Sequence, residues 1–208
     1  MLRVPVRRHP GGVRPPRRLA TVDVVLTLHH DITDATAAVA VLRLQALADA
    51  GVPVRFSPFD VLGLEISIPP TLDLLAGLER ERARAAALGL ALRPPSRQPP
   101  TLRAHVVGGV AEAAGMGAAW RLACLRAYWT EDQDLTDATV LVGLAASVGL
   151  DGEVVAGRLA DTGAVQELRE AMLAQRRRGI GGVPVLELDG TFVTAEVSDD
   201  DLRHLAGL

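Results

Sequence analysis

Lysine and asparagine are absent from the 208 residues, and cysteine occurs once, at Cys124. A single cysteine excludes an internal disulfide framework, a CxxC redox pair and a cysteine-rich zinc module. Without asparagine no N-glycosylation sequon exists. Aromatic residues number six: Phe56, Phe59, Trp120, Tyr128, Trp129 and Phe192. No apolar run reaches the roughly 20 residues needed to span a bilayer, so no membrane association is expected. Net charge is −3, which argues against a nucleic-acid binder held by phosphate contacts.

What is present is apolar and arginine-rich. Hydrophobic residues make up 49% of the chain, ample for a buried core and incompatible with global disorder. All 22 basic residues are arginine, a bias of the kind produced by GC-rich bacterial coding, so arginine abundance carries little functional weight. Residues 1–20 are rich in Pro, Gly and Arg, contain no acid and show no helical or strand period. They read as a disordered basic arm. Arg7-Arg8 and Arg17-Arg18 do not make a twin-arginine export signal. The stretch after them is too short, carries Asp23 and lacks a small-residue cleavage site, so a cytoplasmic protein is expected.

Thr21–Leu28 is β-branched and apolar and predicts a buried strand. His29 to Thr33 follows as a polar loop. Asp34–Ala50 predicts a helix with Val39, Leu42, Ala46 and Leu47 on one face, capped by Asp34 or Thr33 and ended by Gly51. Val52–Phe56 resumes strand character. From Pro69 to Arg178 the pattern is helical throughout: helices over Thr71–Leu90 and Ala118–Trp129, one capped by Thr101, one by Asp137, one by Asp151, and a last one over Ala164–Arg178. Residues 60–68 fit no pattern. Val183–Leu188 and Thr191–Ala195 flank Asp189-Gly190, a strong hairpin signal, and Ser198 opens a final helix. The predicted order is β-α-β, an all-helical insertion of about 110 residues, then β-β-α.

β-α-β followed by β-β-α around one sheet resembles the thioredoxin fold, an α/β class. Four segments sharpen the likeness: Gly179-Ile180-Gly181-Gly182-Val183-Pro184 before the hairpin, Pro100-Thr101-Leu102-Arg103-Ala104-His105 opening a helix, Arg55-Phe56-Ser57-Pro58-Phe59 after the second strand, and Ala127-Tyr128-Trp129. In order and spacing they resemble the DsbA family, most of all its branch of FrnE-type proteins and hydroxychromene-carboxylate isomerases, over residues 21–207. The resemblance implies a thioredoxin-like domain from 21–68 and 179–208 around a helical insertion at 69–178. It implies that Val183-Pro184 is a cis-proline whose Val183 peptide faces the active-site loop.

In redox members of that family a CxxC opens the first helix, where the helix N-terminus favours a thiolate. By position this chain offers Asp34-Ala35-Thr36-Ala37 there, or Thr33-Asp34-Ala35-Thr36 one residue earlier. Dithiol exchange needs two bridging sulfurs, so self-contained thiol–disulfide oxidoreductase activity is excluded. Cys124, beside Trp120 and Tyr128 on an apolar helical face, is expected to be core. In the isomerase branch a serine holds a glutathione thiol, and Thr33 or Thr36 offers a comparable hydroxyl. Asp34 objects, since a carboxylate repels a bound thiolate. His29 and His30 have the chemistry of a general base. Adjacent strand residues point to opposite faces, so no metal site is expected, and one histidine is expected packed and the other solvated. His105 matches a family position facing the active-site groove.

The candidate catalytic residues are therefore Thr33, Asp34 and Thr36, and the candidate binding residues His29, His30, His105, Val183 and Pro184. Three readings follow. One is a DsbA-like protein whose redox dithiol has been lost and whose cis-proline cleft binds a small acid, thiol conjugate or peptide. The second is a glutathione- or thiol-dependent isomerase or transferase. The third is a scaffold or homodimer without ligand.

Overall fold

The computed structural model describes residues 25–206; the predicted basic arm and Thr21 to Val24 lie outside them. Strands β1 (Leu26–His30), β2 (Val54–Pro58), β3 (Val185–Leu188) and β4 (Thr191–Thr194) form one sheet in the order β2-β1-β3-β4. β1 pairs parallel with β2 and antiparallel with β3, and β3 with β4 is an antiparallel hairpin. Helix α1 (Ala35–Asp49) makes the β1–β2 crossover and α8 (Asp199–Leu205) closes the chain. Between β2 and β3 run α2 (Leu72–Ala87), α3 (Leu102–Ala113), α4 (Gly117–Trp129), α5 (Ala138–Ser147), α6 (Gly152–Ala160) and α7 (Thr162–Arg177). This is a thioredoxin-like fold with a helical insertion.

Leu26 and Leu28 alternate onto one face of β1 and are fully buried, as period-two patterning requires. β2 sits two residues later than predicted, and β1 ends two residues later. His29 and His30 end β1 rather than beginning a loop, and both are buried, so neither is the solvated one expected. Their backbone groups continue the ladder, with His29 opposite Ser57 and His30 opposite Pro58. Pro53 lacks an N–H, yet its carbonyl accepts from Leu26 N at 3.0 Å, so the proline starts the pairing rather than blocking it.

α1 is also buried more widely than its predicted face. Val39 is buried, but Val41, Arg43 and Leu44 are too, while Ala46 is exposed. The cause is position: α1 packs at once on β1, β2, α2 and α4. Buried Arg43 is satisfied by α8 and the segment before it, donating to Asp199 at 2.7 Å and to the Val197 carbonyl at 2.8 Å. Asp137, Asp151 and Ser198 cap as predicted. Asp161 caps α7, which therefore begins earlier than expected. Thr101 does not cap α3. Its backbone is αR rather than extended, and its Oγ1 is buried without a partner. Residues 60–68 form a loop closed by a lone bridge between Ile68 and Gln98. At the hairpin, Asp189 (φ 46°) and Gly190 (φ 79°) adopt the left-handed pair that a two-residue turn needs. The Val183–Pro184 peptide bond is cis.

Candidate functional site

The turn between β1 and α1 is held from three sides. Trp129 donates its indole N–H to the Ile32 carbonyl at 2.8 Å, tying the turn to the insertion. Asp31, 1% exposed, accepts from Thr33 N at 3.3 Å and from Val61 N at 2.7 Å. Phe59 N donates to the His30 carbonyl at 2.8 Å. The antiparallel register that sets Val185 opposite His29 runs on toward the same turn, carrying Val183 and Pro184 to the end of β1. The two halves of the predicted cleft therefore share one end of the sheet.

Asp34 is the N-cap of α1, accepting from Ala37 N at 2.6 Å. Burial pushes its carboxyl from the ordinary 3.8 up to about 6, against the lowering effect of the Ala37 N–H, with nearby Asp31 adding to the rise. Burial and the Asp31 charge also raise the Asp60 carboxyl. Burial thus disfavours the charged form of both of these carboxyls. Thr33 is buried with an unpartnered Oγ1.

Thr33, Asp34 and Thr36 line one pocket of about 260 Å3, closed on its far side by Val61, Thr71, Asp73, Arg80 and Gln98. His30 and His105 line a second, smaller pocket between the sheet and α3–α4. Their rings meet edge-on at 5.6 Å, and His105 Nε2 lies 3.9 Å from Asp31 Oδ1. Asp31 thus lies between the two groups. Burial holds the His30 ring well below 6.5, helped by His105, Arg121 and His29. His29 points the other way, into a polar pocket with Arg55, Ser57, Gln175, Arg178 and Glu187. It bonds Glu187 at 3.0 Å. Val183 and Pro184 line none of these three pockets. Cys124 is fully buried on α4, where burial pushes its thiol far up, which leaves it without thiolate character.

Sequence reasoning missed Asp31, Arg80, Gln98 and Arg121. Arg80, Gln98 and Arg121 reach their pockets from three different segments, and no local spacing joins them; Asp31 sits at the turn and lines neither pocket.

The DSBA-like thioredoxin domain family matches residues 35–206. The chain belongs to that family. A probable DsbA oxidoreductase of Streptomyces coelicolor superposes with a TM-score of 0.74 at 26% identity, over 88% of this chain and 90% of the other. A 2-hydroxychromene-2-carboxylate isomerase superposes at 0.68 and 20% identity, over 88% and 93%. The cytosolic disulfide reductase DsbM of Pseudomonas aeruginosa, in a structure with GSH, superposes at 0.60 and 21%, over 88% and 92%. The last two share the fold. No curated protein matches the chain.

Proposed function

We propose that this DsbA-family chain binds a small thiol conjugate or peptide-like acid at the start of α1 and performs no dithiol exchange of its own. The observation that carries the reading is the make-up of the α1 pocket. It offers the Arg80 cation, the Asp34 and Asp73 carboxyls, the Thr33, Thr36 and Thr71 hydroxyls and the Gln98 amide. Groups of both signs suit a ligand that itself carries carboxylate and ammonium, as glutathione does, and Arg80 suits the carboxylate. The α1 pocket, not the cis-proline, carries this reading: Val183 and Pro184 come to the same end of the sheet by register but do not line that pocket. A cytoplasmic setting belongs to this proposal; the DsbM neighbour is cytosolic.

A second reading, a thiol-dependent isomerase or transferase, is favoured by one observation: Thr33 Oγ1 is buried and unpartnered, leaving a hydroxyl for a ligand thiol. Asp34 weighs against it. Its carboxylate already caps the helix and opposes a neighbouring thiolate, so a bound thiol stays protonated and weakly nucleophilic.

Two measurements test the proposal. Insulin reduction with dithiothreitol should run no faster with the protein than without it; measurable turnover contradicts the proposal. Reduced glutathione should raise the melting midpoint in a concentration-dependent way, and Arg80→Gln should remove the rise. A midpoint indifferent to glutathione contradicts thiol-conjugate binding. A shift that survives Arg80→Gln but vanishes in Thr33→Ala favours the second reading.

A further inference from the structure

The pocket behind the β1–α1 turn has a different character. It holds about 130 Å3 between His30 and Phe56 of the sheet and the facing sides of α3 and α4, and is open on one side. An apolar cavity of about 150 Å3 is large enough to hold a benzene ring. Two features show that packing alone does not account for this space. Gly108 and Gly109 lie in the middle of α3, where glycine weakens a helix. A Cβ on Gly108 would sit in ordinary contact with Trp120, at 3.4 Å, and one on Gly109 would meet nothing within 4 Å. A side chain at either position is sterically admissible; Gly108 is half-buried and Gly109 lies exposed at the pocket's rim, where a larger side chain would cover the mouth. Second, His105 lines the cavity, is 7% exposed, and has a buried Nε2 that makes no hydrogen bond, with the Asp31 carboxylate at 3.9 Å, beyond bonding distance. A buried nitrogen of that kind carries a free-energy cost that a ligand hydroxyl or carbonyl removes.

We infer that this cavity is a second binding site, for a compact uncharged molecule, one ring in size, bearing one hydroxyl or carbonyl group. The apolar part packs on Phe56 and Trp120, and the polar group bonds His105 Nε2. Charge does not fit. The Arg121 guanidinium on the cavity wall is already engaged by Glu112 and by Gln45 at 2.8 Å, and lies over Phe56 at 3.7 Å from the ring centre. Burial keeps His30 neutral. The inference is independent of what the α1 pocket binds.

Phenol is a suitable probe, and the two tryptophans supply the readout. Trp120 lines the cavity, whereas Trp129 does not and is bonded to Ile32. Titrating the full-length protein with phenol should shift the Trp120 indole N–H resonance saturably and leave that of Trp129 nearly still. Benzoate should bind about tenfold or more weakly, the difference an added buried charge makes. Gly109→Leu should fold with an unchanged or higher melting midpoint and bind phenol at least about tenfold more weakly. If that variant misfolds, Gly108→Ala, whose methyl fits against Trp120, serves with a smaller loss. No saturable Trp120 shift, equal binding of benzoate, or phenol binding unaffected by filling the cavity would each overturn the inference.

Discussion

His29 and His30 are adjacent on β1, yet their side chains enter opposite sides of the sheet. On the His30 side Leu26 and Leu28 are fully buried, and burial favours neutral forms: His30 titrates well below its ordinary range and Asp34 well above. On the His29 side Glu187 bonds both Arg178 and His29, and the Arg178 hydrogen bond holds its carboxyl below the ordinary value. One side suppresses charge and the other pairs it. The strand's two-residue period decides which side each histidine enters, and burial at the turn beyond the His30 side lifts the Asp34 carboxyl to about 6.

The largest break in this comparison comes from packing. Leu28→Ala should lower unfolding free energy by about 2–5 kcal/mol through transfer and cavity terms, whereas Thr27→Ala, one residue away and half-buried, should cost about 0.5 kcal/mol. Urea denaturation of both variants checks the ratio, and equal losses would remove the distinction between the faces.

Next comes Asp34→Asn. The folded carboxyl titrates near 6 rather than 3.8, so the folded state holds its proton longer than the unfolded chain. Its contribution is most favourable below about 3.8 and declines as pH rises toward 6. Asparagine keeps the cap without the charge. The variant should be more stable than wild type by about 1–3 kcal/mol above pH 7 and equal to it near pH 3.5. Denaturation at several pH values reads this, and a variant less stable at neutral pH would contradict it.

The smallest effect is on the polar side. Glu187→Gln should cost under about 1 kcal/mol near neutral pH. Because the folded carboxyl titrates low, this contribution is present above the ordinary glutamate range and is lost on acidification, the opposite sign to Asp34. Salt should shrink it, and a salt-independent loss would point to packing instead.

Much of the architecture was legible because local chemistry and final structure agree. Asp189-Gly190 takes left-handed angles that few residue pairs accept, and Asp34, Asp137, Asp151 and Ser198 cap as their side chains allow. The end of β1 was not legible. Two histidines and an aspartate look like a loop, and only partners far along the chain bury them: Phe56, His105 and Glu187. Thr101 shows the converse, a capping residue type whose backbone angles deny it the cap. The turn became a candidate through the family resemblance, which places the reactive pair at the start of the first helix. Its division into two pockets could not be read, because Arg80, Gln98, Gly109 and Arg121 meet it only after the insertion has packed.

The central claim is that the start of α1 receives a ligand where redox relatives place a cysteine pair. Mapping amide shifts on addition of reduced glutathione tests it most directly. Saturable changes centred on Thr33 to Thr36, Arg80 and Gln98 are predicted. Changes confined to another surface, or none at millimolar ligand, would contradict it.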